Sequence, residues 1–288
     1  MEQIGNQDIF SFLDRASKAE SHTCTEIRAS SPCKVDSFLE LATKVAELQF
    51  RNRNHVLMFR GQSRDHKNVQ GRTSLKPSLF RPTKGKNPST DALCHRFSIL
   101  SRAEILLVRE YRKAKFLGSR RLERYRILRW AILQHYEICS TPLLDVTHSL
   151  RIAASFASAR SSERAYIFVL GVPNLSGAVT ASAEAGIQIV RLASVCPPSA
   201  MRPHIQEGYL LGEYPEMIGI EQKASYKHFE LDFGRRLVAK FQFNPRTFWK
   251  KNDDFPLVAE MALYPSAEND PVRHMAEQIK LALNKKQH

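Results

Sequence analysis

The sequence predicts an α+β fold, a mixed β-sheet core flanked by helices, with a helical lead at the N-terminus. Three observations predict it. Short apolar runs with strand character are interrupted by amphipathic stretches at helical spacing. Their order lacks the regular strand–helix–strand alternation of a doubly wound sheet. With 288 residues, 43% of them hydrophobic, the chain can bury a sizeable core. No internal repeat and no linker-like stretch divides it. Residues 37–288 therefore read as one domain, preceded by an extension over residues 1–36.

The elements follow in order. A short helix is expected around Asp8 to Ala19, then a loop containing Ser and Cys. Asp36 to Leu48 places Phe38, Leu39, Ala42, Val45, Ala46 and Leu48 at helical spacing, with Asp36 or Ser37 as N-cap. His55 to Phe59 reads as a buried strand ending at Arg60-Gly61. Residues 61–92 are rich in Gly, Pro, Ser, Asn and Lys, which predicts a long surface loop. Phe97 to Arg126 has helical periodicity, and Trp130 to Tyr136 continues as a buried helix. Pro142 and Asp145 open a turn before a close-packing helix, Ser149 to Ala157, with small residues on one face. Tyr166–Gly171 and Ile187–Leu192 are core strands. Pro197, Pro198 and Pro203 mark a loop, after which Ile205–Leu211 reads as another strand. Residues 225–288 mix short strands with a final amphipathic helix, Pro271–Leu283.

Composition excludes several classes. No run of about 18 apolar residues exists, so no transmembrane helix and no membrane partner are expected. Met1 to Phe10 has no basic lead before an apolar run, which argues against a signal peptide and for a cytoplasmic location. The five cysteines are scattered and form no paired ligand motif; free thiols are expected, and no metal. Charge is more telling. The chain carries a net +14, but residues 51–130 hold 21 Lys or Arg against 5 Asp or Glu, a net +16. A basic block in an otherwise neutral protein points to a polyanionic partner. A solvated helix face or an acidic inhibitor protein satisfies the same count.

Three ordered stretches carry a resemblance. The first is Phe59-Arg60-Gly61-Gln62, followed by Leu75-Lys76-Pro77-Ser78-Leu79-Phe80-Arg81. The second is Gln134-His135-Tyr136, then Thr141 to Ser149 (Thr-Pro-Leu-Leu-Asp-Val-Thr-His-Ser) and Ala153 to Ala157. The third is Gln206-Glu207-Gly208-Tyr209-Leu210 within Arg202 to Leu210; Leu263-Tyr264-Pro265-Ser266 is a weaker fourth. Together they resemble the FRG-domain family over roughly residues 37–283. Ser140, Pro142 and Val146 stand where that family usually has Pro, Arg and Trp. The FRG pattern in turn resembles ADP-ribosyltransferases of the Arg-Ser-Glu type. Those have an aromatic-Arg-Gly strand, a Ser/Thr-x-Ser turn into a helix, and a strand bearing Glu or Gln. The fold this implies is an ADP-ribosyltransferase-like mixed sheet.

The resemblance implies NAD as co-substrate, and the residues suit that chemistry. ADP-ribosyl transfer breaks the nicotinamide–ribose bond through a ribose of oxocarbenium character. The guanidinium of Arg60 can bind phosphate bidentately. Gly61 allows close backbone approach, with Gln62 beside it. Thr147 and Ser149, two residues apart, can face one pocket; they equally suit an N-cap. His135 reads as well as a core histidine as a pocket residue, and Asp145 as a brace for its turn. Gln206 or Glu207 would offer an oxygen near the ribose; the alignment favours Gln206, and strand alternation would put the two on opposite faces.

The expected function is an NAD-dependent ADP-ribosyltransferase, a toxin or antiphage effector modifying single-stranded nucleic acid, with RNA favoured and a cognate inhibitor (antitoxin) as a second partner. Arg112, Lys113, Arg120, Arg121 and Arg124 are the expected phosphate contacts, with Tyr111, Phe116, Tyr125 and Trp130 as aromatics that suit either stacking or the core. A transferase acting on protein, and a non-catalytic nucleic-acid-binding or sensing module, are the alternatives.

Overall fold

The structure is a computed structural model that describes residues 3–4, 9–83, 85–159, 161, 163–219, 221, 231–250 and 255–284. Strands β1 (Ile9–Ser11) and β2 (Glu20–His22) come first, then helix α1 (Cys24–Ala29), β3 (Cys33–Lys34), α2 (Phe38–Arg51) and β4 (Val56–Gln62). Three helices follow: α3 (Thr90–Lys113), α4 (Ser119–Arg124) and α5 (Arg126–His135). Next are β5 (Leu144–Thr147), α6 (Leu150–Ala159), β6 (Ala165–Val172), β7 (Val179–Ser182) and β8 (Ile187–Arg191). The chain continues through α7 (Leu192–Val195), α8 (Met201–Ile205), β9 (Gly208–Glu213) and β10 (Leu237–Phe243). It ends with α9 (Pro245–Phe248), α10 (Glu260–Leu263) and α11 (Pro271–Asn284).

Eight strands form one mixed sheet in the order β3-β10-β6-β4-β5-β9-β8-β7, antiparallel except where β10 meets β3. The fold is α+β, a large mixed sheet flanked by helices. The middle strands explain the continuous apolar runs. β6 is buried along nearly its whole length, as expected for a strand covered on both faces. One apolar cluster packs α2, α6 and the N-terminal strands around β4, β6 and β10. A second packs α3, α5 and α11 around Val190 of β8 and Leu210 of β9.

Three expectations are corrected. No helix spans the described residues of Asp8–Ala19. Ile9–Ser11 instead pairs with Glu20–His22, because Asn52 at the end of α2 exchanges hydrogen bonds with the main chain of Phe10 and fixes that segment extended. The N-terminal segment also enters the main core through Ile9, Phe12, Cys24 and Ile27. Nor is Ile205–Leu211 a single strand: α8 runs to Ile205, Gln206 caps it in a helical conformation, and Glu207 turns the chain at φ +43°. The strand starts only at Gly208. Likewise, Asp145, read as part of a turn, lies within β5.

The loop after β4 is anchored from behind. Buried Arg28 pairs with Asp232 at 2.7 Å and donates from Nε to the Thr73 carbonyl. Buried Lys240 of β10 donates to the Arg28 carbonyl and to Thr73 Oγ1, with Asp65 at 3.7 Å. Desolvation pushes the Lys240 ammonium down to about 7, Asp65 opposing it. The polar groups that α1, β10 and the loop bury are thus spent on one another, which holds the loop against the sheet.

Candidate active site

The sheet opens at one place. β4 pairs with β6 along all seven of its residues, but with β5 at only Phe59↔Thr147. Beyond that pair β4 and β5 part, and Arg60-Gly61-Gln62 borders a cavity of about 630 Å³. This is an ordinary size for a cofactor or small-ligand site. Its walls bring together segments far apart in sequence: Phe59 to Arg64 and His66, Ser78 and Arg81, Gln134 and His135, Asp145 to Thr147, Phe156, Arg202, Gln206, Gly208, Tyr209 and Tyr264.

Arg60 is held from its base. Its Nη1 donates to the Asp145 carbonyl. The Asp145 carboxylate takes a 2.6 Å hydrogen bond from Gln134 Nε2, and Gln134 Oε1 accepts from Thr141 Oγ1 at 2.6 Å and Ser78 Oγ at 3.2 Å. Burial pushes the Asp145 carboxyl up, with Arg60 and then Gln134 pulling it back. The chain Ser78/Thr141–Gln134–Asp145–Arg60 therefore fixes one guanidinium at the cavity wall. Asp145 serves here as a brace, on a strand rather than in a turn.

His135 is 3% exposed and lines the cavity, and its Nε2 has no hydrogen-bond partner. Burial drives its pKa well below the usual range, with Arg202 adding to the effect, so the imidazole is neutral. Gly208 stands beside it: a Cβ there would press on Leu192 and lie 3.5 Å from His135 Cε1. Arg202 is a wall residue that strand-based reading missed. Its guanidinium lies over the rings of Tyr264 (4.8 Å) and Tyr136 (5.7 Å), Nη2 binds Glu137 at 3.0 Å, and Nε is buried without a partner. The signal was its spacing, since Arg202 and Gln206 are four apart and share a face of α8 and its cap. Reading 205–211 as a strand hid it.

The other expected residues divide. Gln206 is buried in the wall and donates from Nε2 to the Leu263 carbonyl at 2.6 Å. Glu207 is exposed and lies outside the wall; it is a turn residue, not the reverse face of a strand. Gly61 and Gln62 both line the cavity, and the close approach at Gly61 is made by α6, where a Cβ would collide with the Ala153 carbonyl. Thr147 lines the cavity with its hydroxyl donating to the carbonyls of Gln206 (2.8 Å) and Glu207 (3.1 Å) while accepting from Ser149 N. Ser149, expected to face the same pocket, is not in the cavity wall; it sits at the head of α6, accepting from Ile152 N.

Residues 55–165 match the family model of the FRG domain. The FRG resemblance is borne out over this segment. The segment supplies Arg60, Ser78, Gln134, His135, Asp145 and Thr147, so the motif residues of the FRG domain meet at one cavity. Arg202, Gln206 and Tyr264 complete the wall from outside the matched segment. No curated protein and no solved structure is significantly similar to the chain.

The basic block also divides. Arg112 and Lys113 lie at the end of α3 and Arg120, Arg121 and Arg124 on α4, all exposed and none in the cavity wall. Arg112 pairs with Glu123, Lys113 and Arg109 with Glu110, and Arg126 and Arg129 with buried Glu104. Tyr111 and Trp130 are buried in the helical core and cannot stack on bases, while Tyr125 is exposed beneath Arg124.

Proposed function

We propose that the protein is an NAD-dependent ADP-ribosyltransferase working from the cavity around Arg60, with single-stranded nucleic acid, RNA favoured, as acceptor. The observation that carries this reading is the cavity wall itself. Residues that match the transferase motif order in sequence, Phe59-Arg60-Gly61, Thr147 and Gln206, converge there with the unpartnered Nε2 of His135 and Nε of Arg202. Buried polar atoms without protein partners are costly and mark where a polar ligand fits.

The residues fit a dinucleotide. Arg60, Arg64 and Arg81 put three arginines in the cavity wall, suited to a diphosphate. The neutral imidazole of His135 offers a hydrogen bond to an amide, and Phe156, Tyr209 and Tyr264 add aromatic side chains to the wall. NAD supplies an ADP-ribose group whose nicotinamide is a good leaving group. Gln206, a wall residue, would orient a ribose hydroxyl and leave electrostatic stabilisation to the surrounding dipoles. The Asp145 carbonyl, an uncharged acceptor, keeps Arg60 oriented at the cavity wall. An acidic inhibitor protein that restrains a toxin or antiphage effector belongs to the same proposal, and suits the exposed Arg120, Arg121 and Arg124.

The test is partition of label. The protein is incubated with NAD labelled in its adenylate half, together with RNA, DNA or cell protein. The reading expects nicotinamide release and label in RNA, falling with added salt. Label in protein alone would move the acceptor to protein. Absence of nicotinamide release would leave a binding module without catalysis.

A further inference from the structure

Behind the Cys139–Ser140 wall lies a second cavity of about 340 Å³, between α3 and α11. Cys139 and Ser140 belong to the walls of both cavities. Among the described residues, the second is lined by the cations Arg96 and Arg102 from α3 and Lys280 from α11, and by no carboxylate. Arg96 donates to the carbonyls of Leu79 and Arg81 and to Thr83 Oγ1, and Arg102 to the Leu283 carbonyl at 3.5 Å. These partners are uncharged, so they orient the guanidiniums without cancelling their charge. Among the described residues, none of the three cations is ion-paired. The cations at the far end of α3, Arg109, Arg112 and Lys113, are ion-paired, through Glu110 and Glu123. The surplus charge of α3 is thus delivered toward the Arg60 cavity and is quenched away from it.

We infer that this groove holds the phosphate backbone of a nucleic-acid strand, so that the adjoining nucleotide reaches the Arg60 cavity past Cys139 and Ser140. The inference rests on the transferase reading for the strand's role as acceptor, but binding itself needs no NAD. The apolar side chains of Ile99, Ile138 and Leu283 give the groove a floor against which a sugar or base packs. A polyanion with its charges on a flexible, partly apolar chain matches this lining. An acidic protein segment is the competitor, since it brings the same charge on carboxylates.

The test measures binding of fluorescein-labelled single-stranded oligouridine to the full chain by anisotropy, without NAD, over a salt series. Arg102→Gln/Lys280→Gln should weaken binding by about tenfold or more and flatten the log–log salt slope by roughly 1.4, two single-strand contacts at about 0.7 each. Nicotinamide release should stay at the parent level, because neither residue borders the Arg60 cavity. Lys280→Gln alone, which removes no side-chain hydrogen bond among the described residues, should give about half that slope change and keeps the test valid if the double variant unfolds. Charge reversal of Arg120, Arg121 and Arg124 should weaken binding less than the double variant. Equal binding by parent and double variant, a larger loss from the α4 triple, or competition by polyglutamate but not by unlabelled oligouridine would each overturn the inference. Groove-dependent oligouridine binding without nicotinamide release would remove the transferase reading and leave the groove as a nucleic-acid site.

Discussion

Gln206 and Glu207 are neighbours with different environments. Gln206 is buried in the cavity wall and tied to Leu263, whereas Glu207 projects to solvent from a left-handed turn. Gln206→Ala should lower nicotinamide release by at least about tenfold, near 1.4 kcal/mol of barrier. Glu207→Ala should leave it within about twofold. Steady-state rates of the two variants check this, and the reverse order would move the chemistry to the carboxylate. His135 gives a second prediction. Its folded pKa lies well below the value near 6.5 expected unfolded, so below about pH 6.5 the unfolded chain takes up a proton that the folded protein excludes. Stability is therefore lost as pH falls through that window, by up to about 1.4 kcal/mol per pH unit for this group. His55 and His66 shift the same way. The comparison is consequently between the parent and His135→Gln in denaturant titrations at several pH values. The variant should show the shallower acid slope, and identical slopes would contradict the neutral buried assignment.

At the scale of elements, Gly61 ties the cavity wall to helix packing. β4 lies so close to α6 that any side chain at residue 61 meets the Ala153 main chain. Gly61→Ala should cost about 2 kcal/mol or more, through strain between two backbones rather than through a lost ligand contact. Thermal unfolding measures it; a fully stable variant would show that the helix can retreat. Elements were also where sequence reading was uneven. β4, β6, β8, α2, α5, α6 and α11 were legible because each is a clean apolar run or carries one apolar face. The β1–β2 pair was not, since its structure depends on Asn52, more than forty residues away in sequence. The α8–β9 boundary was missed because a five-residue helix has too little periodicity to register. That miss concealed Arg202, which only helical spacing places beside Gln206.

For the whole molecule, motif order carried more than motif content. Arg60, His135, Thr147 and Gln206 were named from sequence, and the fold brings them to one cavity. What sequence could not give was which of them are braces. Gln134 and Asp145 acquire their role only through hydrogen bonds that link α5, β5 and β4. The distribution of charge was similarly hidden, because carboxylates on α3 and α4 quench much of the basic block locally. The central claim is that the cavity built on Arg60 cleaves NAD. It is tested most directly by nicotinamide release from purified parent protein, Arg60→Ala and Arg60→Lys, each verified as folded by its thermal transition. Loss of a charge-assisted phosphate contact is worth roughly 1.5 to 3 kcal/mol in binding. The account predicts release by the parent and a loss of at least about tenfold in both variants, Lys failing because an ammonium cannot form the two-pronged contact. Parent-level release from folded Arg60→Ala would contradict it.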